Sequence, residues 1–109
     1  MIDNYEKAME LVENMNEHLP IPARPTTELI QAMEDTESKL TKGQDLQIDS
    51  VFYMGDEGGI CCSISMPKDS KSVLVTSITH LRIKASHLLA REIRSYQKKR
   101  IKTLVKSQF

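Results

Sequence analysis

Two adjacent cysteines and three histidines are the residues whose side chains could act as nucleophiles or bind a metal ion. Cys61 and His80 could converge as the nucleophile and base of a thiol-dependent enzyme. Cys61 and Cys62 point to opposite faces of a strand, because side chains alternate along an extended backbone. His80 and His87 are seven residues apart, and no paired-cysteine spacing typical of zinc is present. The sequence therefore predicts no metal site, and the thiol enzyme is the third of three functional hypotheses.

The net charge of zero conceals two oppositely charged halves. Residues 1–57 hold 4 basic and 13 acidic side chains, a net charge of −9, whereas residues 58–109 hold 11 basic and 2 acidic ones, a net charge of +9. Such asymmetry indicates a charged partner, or two halves that complement each other within a fold or a dimer.

The N-terminal residues 1–19 are predicted to form an acidic helix. Asp3 and Glu6 have the spacing of a capping box, and apolar residues then recur at three- and four-residue intervals. One side of this helix carries a candidate acidic docking stripe, which consists of Glu6, Glu10, Glu13 and Glu17. These glutamates form either a solvated surface or a docking site for basic groups.

A proline-rich segment, PIPARP at residues 20–25, ends this helix and predicts an ordered, extended elbow. Thr26 or Thr27 caps a second helix, predicted over residues 26–41, and Gly43 follows as its C-terminal stop. One face of that helix is expected to carry Leu29, Met33, Thr36 and Leu40.

The middle of the chain, residues 46–83, predicts a three-stranded antiparallel meander. LQIDSVFYM (46–54) places Leu46, Ile48, Ser50, Phe52 and Met54 on one side, and ICCSISM (60–66) places Ile60, Cys62, Ile64 and Met66 on one side. The hairpin GDEGG and a second turn, PKDSKS (67–72), connect the strands. VLVTSITHLRI (73–83) has β-branched residues on both faces, which is typical of a central strand.

A long basic amphipathic helix is predicted over residues 86–107. Its apolar half is expected to bury Leu89, Ile93, Tyr96 and Leu104. The candidate charged-partner surface consists of Arg91, Lys98, Lys99, Arg100, Lys102 and Lys106. Such cations can follow phosphates, although they also suit the C-terminal end of a helix. Arg100 falls on the apolar half near Tyr96, so it is expected either to extend along that surface or to reach a partner.

From Thr26 onward, the predicted order α-β-β-β-α resembles that of the double-stranded-RNA-binding domain, which also carries lysines on its last helix. That family's last helix opens with a lysine cluster behind a glycine turn. The corresponding segment here, IKASHLLARE (83–92), has one lysine and no glycine. The resemblance implies a topology, and no RNA-contacting residue is carried across from it.

These patterns together predict a single α+β domain over residues 1–109. Its order is α-α-β-β-β-α, with helices packed on one face of the meander, whose two edges could pair with a second copy. The first hypothesis is a small non-enzymatic interaction protein that self-associates and uses its acidic and basic surfaces for contacts. The second is a nucleic-acid-binding protein that uses the last helix, and the third is the enzyme using Cys61 and His80. Without a signal peptide or a membrane-length apolar run, we expect a cytoplasmic protein with no membrane partner and no cofactor.

Overall fold

The computed structural model describes residues 3–37, 39–66 and 69–107, and it contains both helices and an antiparallel sheet. The α+β class is therefore confirmed. In chain order the elements of these residues are α1 (Tyr5–Asn16), β1 (Ile21–Pro25), α2 (Thr27–Ala32), β2 (Leu46–Tyr53), α3 (Gly55–Gly58), β3 (Ile60–Met66), β4 (Asp69–Ser77), a 3-10 turn (Ile78–His80), β5 (Leu81–Arg82) and α4 (Ala90–Ser107).

The sheet has the strand order β4-β3-β2-β1-β5, and each described pair of strands is antiparallel. Consecutive strands β2, β3 and β4 form a meander within this sheet, and its third strand covers residues 69–77 instead of the predicted 73–83. β1 and β5 extend this meander beyond β2 to five strands within the described residues. The predicted order α-α-β-β-β-α omits these two strands, so the topological resemblance to the double-stranded-RNA-binding domain does not extend to the sheet.

The proline-rich segment forms a strand where the sequence predicts an elbow. Ile21, Ala23 and Pro25 are buried, while Pro22 and Arg24 between them are exposed. This alternation suits a strand with one face on the core. Prolines disfavour strand interiors because they lack an N–H donor, and the sequence-based prediction did not include a strand here.

The segment predicted as one central strand, 73–83, is instead divided among the end of β4, the 3-10 turn and β5, and β4 and β5 lie at opposite edges of the sheet. β4 ends at Ser77, whose side chain accepts a hydrogen bond from the Thr79 N–H at 3.2 Å and so caps the 3-10 turn. Of the predicted turn at 67–72, residues 67–68 lie outside the described residues, and the rest belongs to β4. The predicted hairpin GDEGG forms the single helical turn α3.

A β-bulge in β2 inverts the predicted side-chain pattern. The pairing with β3 shifts register between Ile48 and Ser50. Because an extra residue in one strand reverses the alternation beyond it, Val51 and Tyr53 pack against the core where Phe52 was expected. The pairing of β2 with β3 is regular where Cys61 and Ile60 lie opposite Phe52 and Tyr53. The predicted core residues of β3, Ile60, Cys62 and Ile64, are buried.

The first helix packs its apolar side on β2. Asn4, not Asp3, caps it, since the Asn4 side chain accepts a hydrogen bond from the Lys7 N–H at 3.2 Å. The Asn16 amide at its other end donates to the carbonyls of Val12 and Val51, each at 3.0 Å, and so ties α1 to β2. The buried residues of α1 are Ala8, Leu11, Val12 and Met15.

The second helix is shorter than the predicted 26–41. Thr26 caps it, with the Leu29 N–H donating to its hydroxyl at 3.3 Å, and the helix ends at Ala32. Glu34 and Asp35 follow directly, and carboxylates are unfavourable at the negative end of a helix. Leu40 lies in the irregular segment beyond this helix and is nevertheless buried.

The last helix begins at Ala90, later than the predicted residue 86, and its first turns lie on the core. Leu89 and Ile93 are buried as predicted, whereas Tyr96 and Leu104 are half-buried. Further along, Ile101 and Val105 are exposed. The apolar half of α4 therefore contacts the core mainly through its N-terminal part.

Replacing Ile93 by alanine is expected to lower the free energy of unfolding by about 2–5 kcal/mol, because the lost methylene groups leave a cavity in the core. Ile93 is 1% exposed, whereas Ile101, two turns further along the same helix, is 48% exposed. Ile101→Ala is therefore the matched control, with an expected cost below about 1 kcal/mol. Urea unfolding followed by circular dichroism measures both, and equal costs would contradict this position of α4.

Candidate functional site

A buried ion pair joins α4 to the residue that precedes the cap of α1. Arg100 Nη1 donates to Asp3 Oδ2 at 2.9 Å, and each side chain is 3% exposed. Arg100 belongs to the predicted charged-partner surface, but it lies inside the fold with an intramolecular partner. Its position on the apolar half of α4, next to Tyr96, is the sequence signal that pointed to burial.

Two tyrosines complete the coordination of this carboxylate. The hydroxyls of Tyr53 and Tyr96 donate to Asp3 Oδ2 at 3.1 and 2.9 Å, so one oxygen accepts three hydrogen bonds. The second guanidinium nitrogen of Arg100 donates to the Asp56 carbonyl at 2.8 Å. We call Asp3, Tyr53, Tyr96 and Arg100 the Asp3–Arg100 network. It connects the start of α1 with β2, α3 and α4.

The glycine after α3 allows this network to form. A Cβ atom on Gly59 would lie 2.5 Å from the Tyr96 hydroxyl and 2.7 Å from the guanidinium carbon of Arg100, and its φ of 62° is one that side-chain-bearing residues rarely adopt. The next residue, Ile60, donates its N–H to the Tyr96 hydroxyl at 3.0 Å. The turn between β2 and β3 thus presents a bare backbone to α4.

The network holds its tyrosines in the neutral form. Burial raises the pKa of Tyr53, and the hydrogen bond to Asp3 raises it further. Burial also raises the pKa of Tyr96, although the N–H of Ile60 opposes this by favouring the phenolate. Neutral phenols donate to the carboxylate and are poor acid–base catalysts near neutral pH. The arrangement therefore suits a structural role.

The two cysteines are buried and electrostatically unactivated. Cys61 is 7% exposed and its thiol lies 3.5 Å from the Gly58 carbonyl, whereas Cys62 is fully buried in the core. Burial raises the pKa of Cys61 more than the charge of Arg100 lowers it, and burial raises the pKa of Cys62 to about 12. Because the thiolate is the nucleophile, neither cysteine is prepared for attack at neutral pH. Among the described contacts, no hydrogen bond joins Cys61 to His80.

Within residues 3–37, 39–66 and 69–107, no three His, Cys, Asp or Glu side chains come together in a way that could hold a metal ion. None of the helices in these ranges has the length and apolar character needed to cross a membrane.

The predicted acidic and basic surfaces both lie in solvent. The acidic stripe on α1 consists of Glu6, Glu10, Glu13 and Glu17, and all four are exposed. The basic face of α4, here defined as Arg91, Lys98, Lys99, Lys102 and Lys106, is exposed as well. In the described part of the chain no ion pair joins these two sets, since the ion pairs there are Asp3–Arg100 and the exposed Arg24–Asp45. Both surfaces are therefore accessible to solvent.

A groove of about 460 Å³ runs beside α4, and the sequence analysis did not identify it. It lies between the N-terminal half of α4 and the segment that passes from the 3-10 turn into β5. Three cations line it: Arg82, Arg94 and Lys98. Of these, only Lys98 belongs to the predicted surface, because nothing in the sequence places Arg82 near α4.

No protein-family model matches this chain, and neither the curated proteins nor the solved structures include a match to it.

Arg100→Met is expected to lower the free energy of unfolding by about 3–5 kcal/mol, because it leaves the Asp3 carboxylate buried without its cation. The matched control is Arg24→Gln, which removes the exposed pair with Asp45, whose side chains are 54% and 81% exposed. The control is expected to cost about 0–1 kcal/mol. Denaturant unfolding measures both variants.

The double variant Asp3→Asn with Arg100→Met removes both charges, so it should be more stable than Arg100→Met alone. If the double variant loses as much free energy of unfolding as Asp3→Asn and Arg100→Met lose together, the two residues are not coupled. That result would contradict the observed contact.

Stability should also decrease in alkaline solution. The folded protein keeps the Tyr53 and Tyr96 protons above the ordinary tyrosine pKa of 10.0, whereas the unfolded chain releases them. Since the folded state then binds more protons, the free energy of unfolding falls as pH rises above about 10. Tyr96→Phe should make that slope shallower, and Tyr5→Phe, at an exposed tyrosine, is the control. Parallel slopes for wild type and Tyr96→Phe, from urea unfolding at several pH values, would refute this assignment.

Proposed function

We propose that this protein is a non-enzymatic interaction protein that self-associates through the outer edge of β4. The observation that carries this proposal is a nine-residue strand at the end of the sheet, with β3 as its neighbour on one side and no described strand on the other. At about 3.3 Å per residue such an edge is roughly 30 Å long. Long open edges are templates for pairing with another chain, so proteins usually cover them, charge them or pair them.

The exposed side chain on this edge favours association. Val75 is 57% exposed, while its neighbours Leu74 and Thr76 are half-buried and buried. A second copy that pairs antiparallel with β4 would bring two Val75 side chains near each other on the same face and shield them from water.

The opposite edge of the sheet is short and partly hydrogen-bonded, which favours β4 as the edge for pairing. β5 has only two residues, and the Gln97 side chain donates to the carbonyl of Leu81 at 2.7 Å. The Leu81 N–H in turn donates to the Ile78 carbonyl. An antiparallel β4–β4 contact is self-complementary and closes at two copies, whereas two open edges would allow unlimited growth.

The charge distribution is compatible with such a dimer. A formal net charge of zero gives two approaching copies no overall repulsion. The acidic stripe and the basic face lie on helices and not on β4, so they would stay available for further partners. A nucleic-acid-binding role is the second candidate, because the basic face is exposed and no ion pair among the described residues involves it. We rank it lower because the exposed acidic stripe weakens the long-range attraction that a polyanion would feel.

The test is the mass of the protein in solution, measured by sedimentation equilibrium over a range of concentrations. We expect a monomer–dimer equilibrium for the wild type. Val75→Lys should raise the dimer dissociation constant about tenfold or more, since it places like charges across the pairing strands. Leu88→Lys is the matched control, because Leu88 is 73% exposed but lies outside the sheet.

A wild-type protein that stays monomeric at its highest soluble concentration would refute self-association, and equal effects of the two lysine variants would refute the β4 contact. Steeply salt-dependent binding of an arbitrary duplex by the monomer would support the nucleic-acid role instead.

A further inference from the structure

The groove beside α4 combines an apolar lining with converging positive charge. Leu81 and Ile93 are buried, and Ile101 at one rim is 48% exposed. The remaining uncharged lining residues are Thr26, Thr79, Ile83, Ala90 and Gln97. The groove volume of about 460 Å³ is within the range of small-molecule sites, which are mostly apolar and carry a few polar groups.

The cations reach this groove from two sides. Arg82 comes from β5, and Arg94 and Lys98 come from successive turns of α4. All three are exposed, none of the described lining residues is acidic, and no described ion pair involves them. Arg94 and Lys98 are like charges four residues apart on a helix, which destabilises it slightly, whereas the same cluster would attract an anion.

The backbone beside the groove is already hydrogen-bonded. Gln97 Nε2 donates to the carbonyls of Ile78 and Leu81, each at 2.7 Å. An extended peptide therefore has no free carbonyl at Leu81 with which to continue the sheet. The acidic stripe of a second copy is also a poor occupant, because the apolar side of α1 is buried in its own core and cannot cover the groove floor. Such a contact would also join two different surfaces, the groove of one copy and the acidic stripe of the next. Contacts of this kind can continue from copy to copy and form open chains of molecules.

We propose that this groove binds an organic anion that carries a phosphate group on an apolar body. The phosphate would be held by Arg82 and Arg94, whose guanidinium groups match phosphate oxygens in pairs, and by the point charge of Lys98. The apolar body would lie along the accessible parts of Ile83 and Ile101, above the buried Leu81 and Ile93. No described lining residue is aromatic, so the groove offers no stacking platform for a nucleobase. The phosphate belongs either to a soluble phosphomonoester or to a lipid headgroup.

Phenyl phosphate is the probe, titrated into the full chain and followed by the backbone amide signals in NMR. Inorganic phosphate tests whether the apolar body contributes, and vesicles with and without phosphatidic acid test the lipid source. We expect phenyl phosphate to bind more tightly than inorganic phosphate and to shift the amide signals around β5 and the first half of α4. Binding to phosphatidic acid vesicles that exceeds the binding of phenyl phosphate would identify the headgroup as the source.

Arg94→Gln should weaken phenyl phosphate binding about tenfold, as expected for the loss of one charge-assisted contact. Lys102→Gln is the matched control, because it removes the same charge from the same helix outside the groove lining. It should weaken binding less than about twofold, since only the distant field changes. Equal weakening by both variants, shifts confined to other regions, or no binding of either phosphate probe would overturn the site. None of these outcomes depends on the mass of the protein in solution, so failure here is separable from failure of the β4 contact.

Discussion

The buried contact between Asp3 and Arg100 is the constraint on which the rest of this structure depends. Removing two opposite charges from water is costly, and their attraction compensates only when the remaining donors and acceptors are also satisfied. Here two phenols and a backbone carbonyl supply those partners. Because these groups come from separate elements, the contact ties α4 to the start of α1, to β2 and to α3. The basic face of α4 is exposed, and the groove lies beside β5.

The fold could be predicted from the sequence wherever local periodicity and core packing agree. The apolar spacing of α1 and α4 and the alternation in β3 were sufficient to locate these elements. They were not sufficient in β2, because the bulge near Asp49 depends on how two strands align, and no single strand encodes that. β1 was missed for a similar reason, since its prolines are tolerated only in the particular sheet positions that the neighbouring strands create.

The sites were less predictable than the fold, because they depend on contacts between distant residues. Arg100 stood out as a cation on an apolar half, which indicates an unseen partner, but Asp3 had an adequate local explanation as a helix cap. Of the three groove cations, only Lys98 was part of the predicted surface, and its grouping with Arg82 requires knowing that β5 lies beside the first half of α4. In both cases the residue types in the sequence were informative, but the sequence did not show which residues contact each other.

The separation of Asp3 and Arg100 along the chain has a consequence for how the protein is made. The contact spans 97 positions, so the carboxylate is synthesised long before its cation. On the ribosome α1 and β2 can associate early, when Asp3 and Tyr53 are present but Arg100, whose guanidinium pairs with the Asp3 carboxylate, has not yet been synthesised. Closing so long a loop is entropically costly and slow compared with forming a helix or a hairpin. Docking of α4 is thus expected late in biogenesis, and until then the nascent domain keeps one side of its interior open to water and to chaperones.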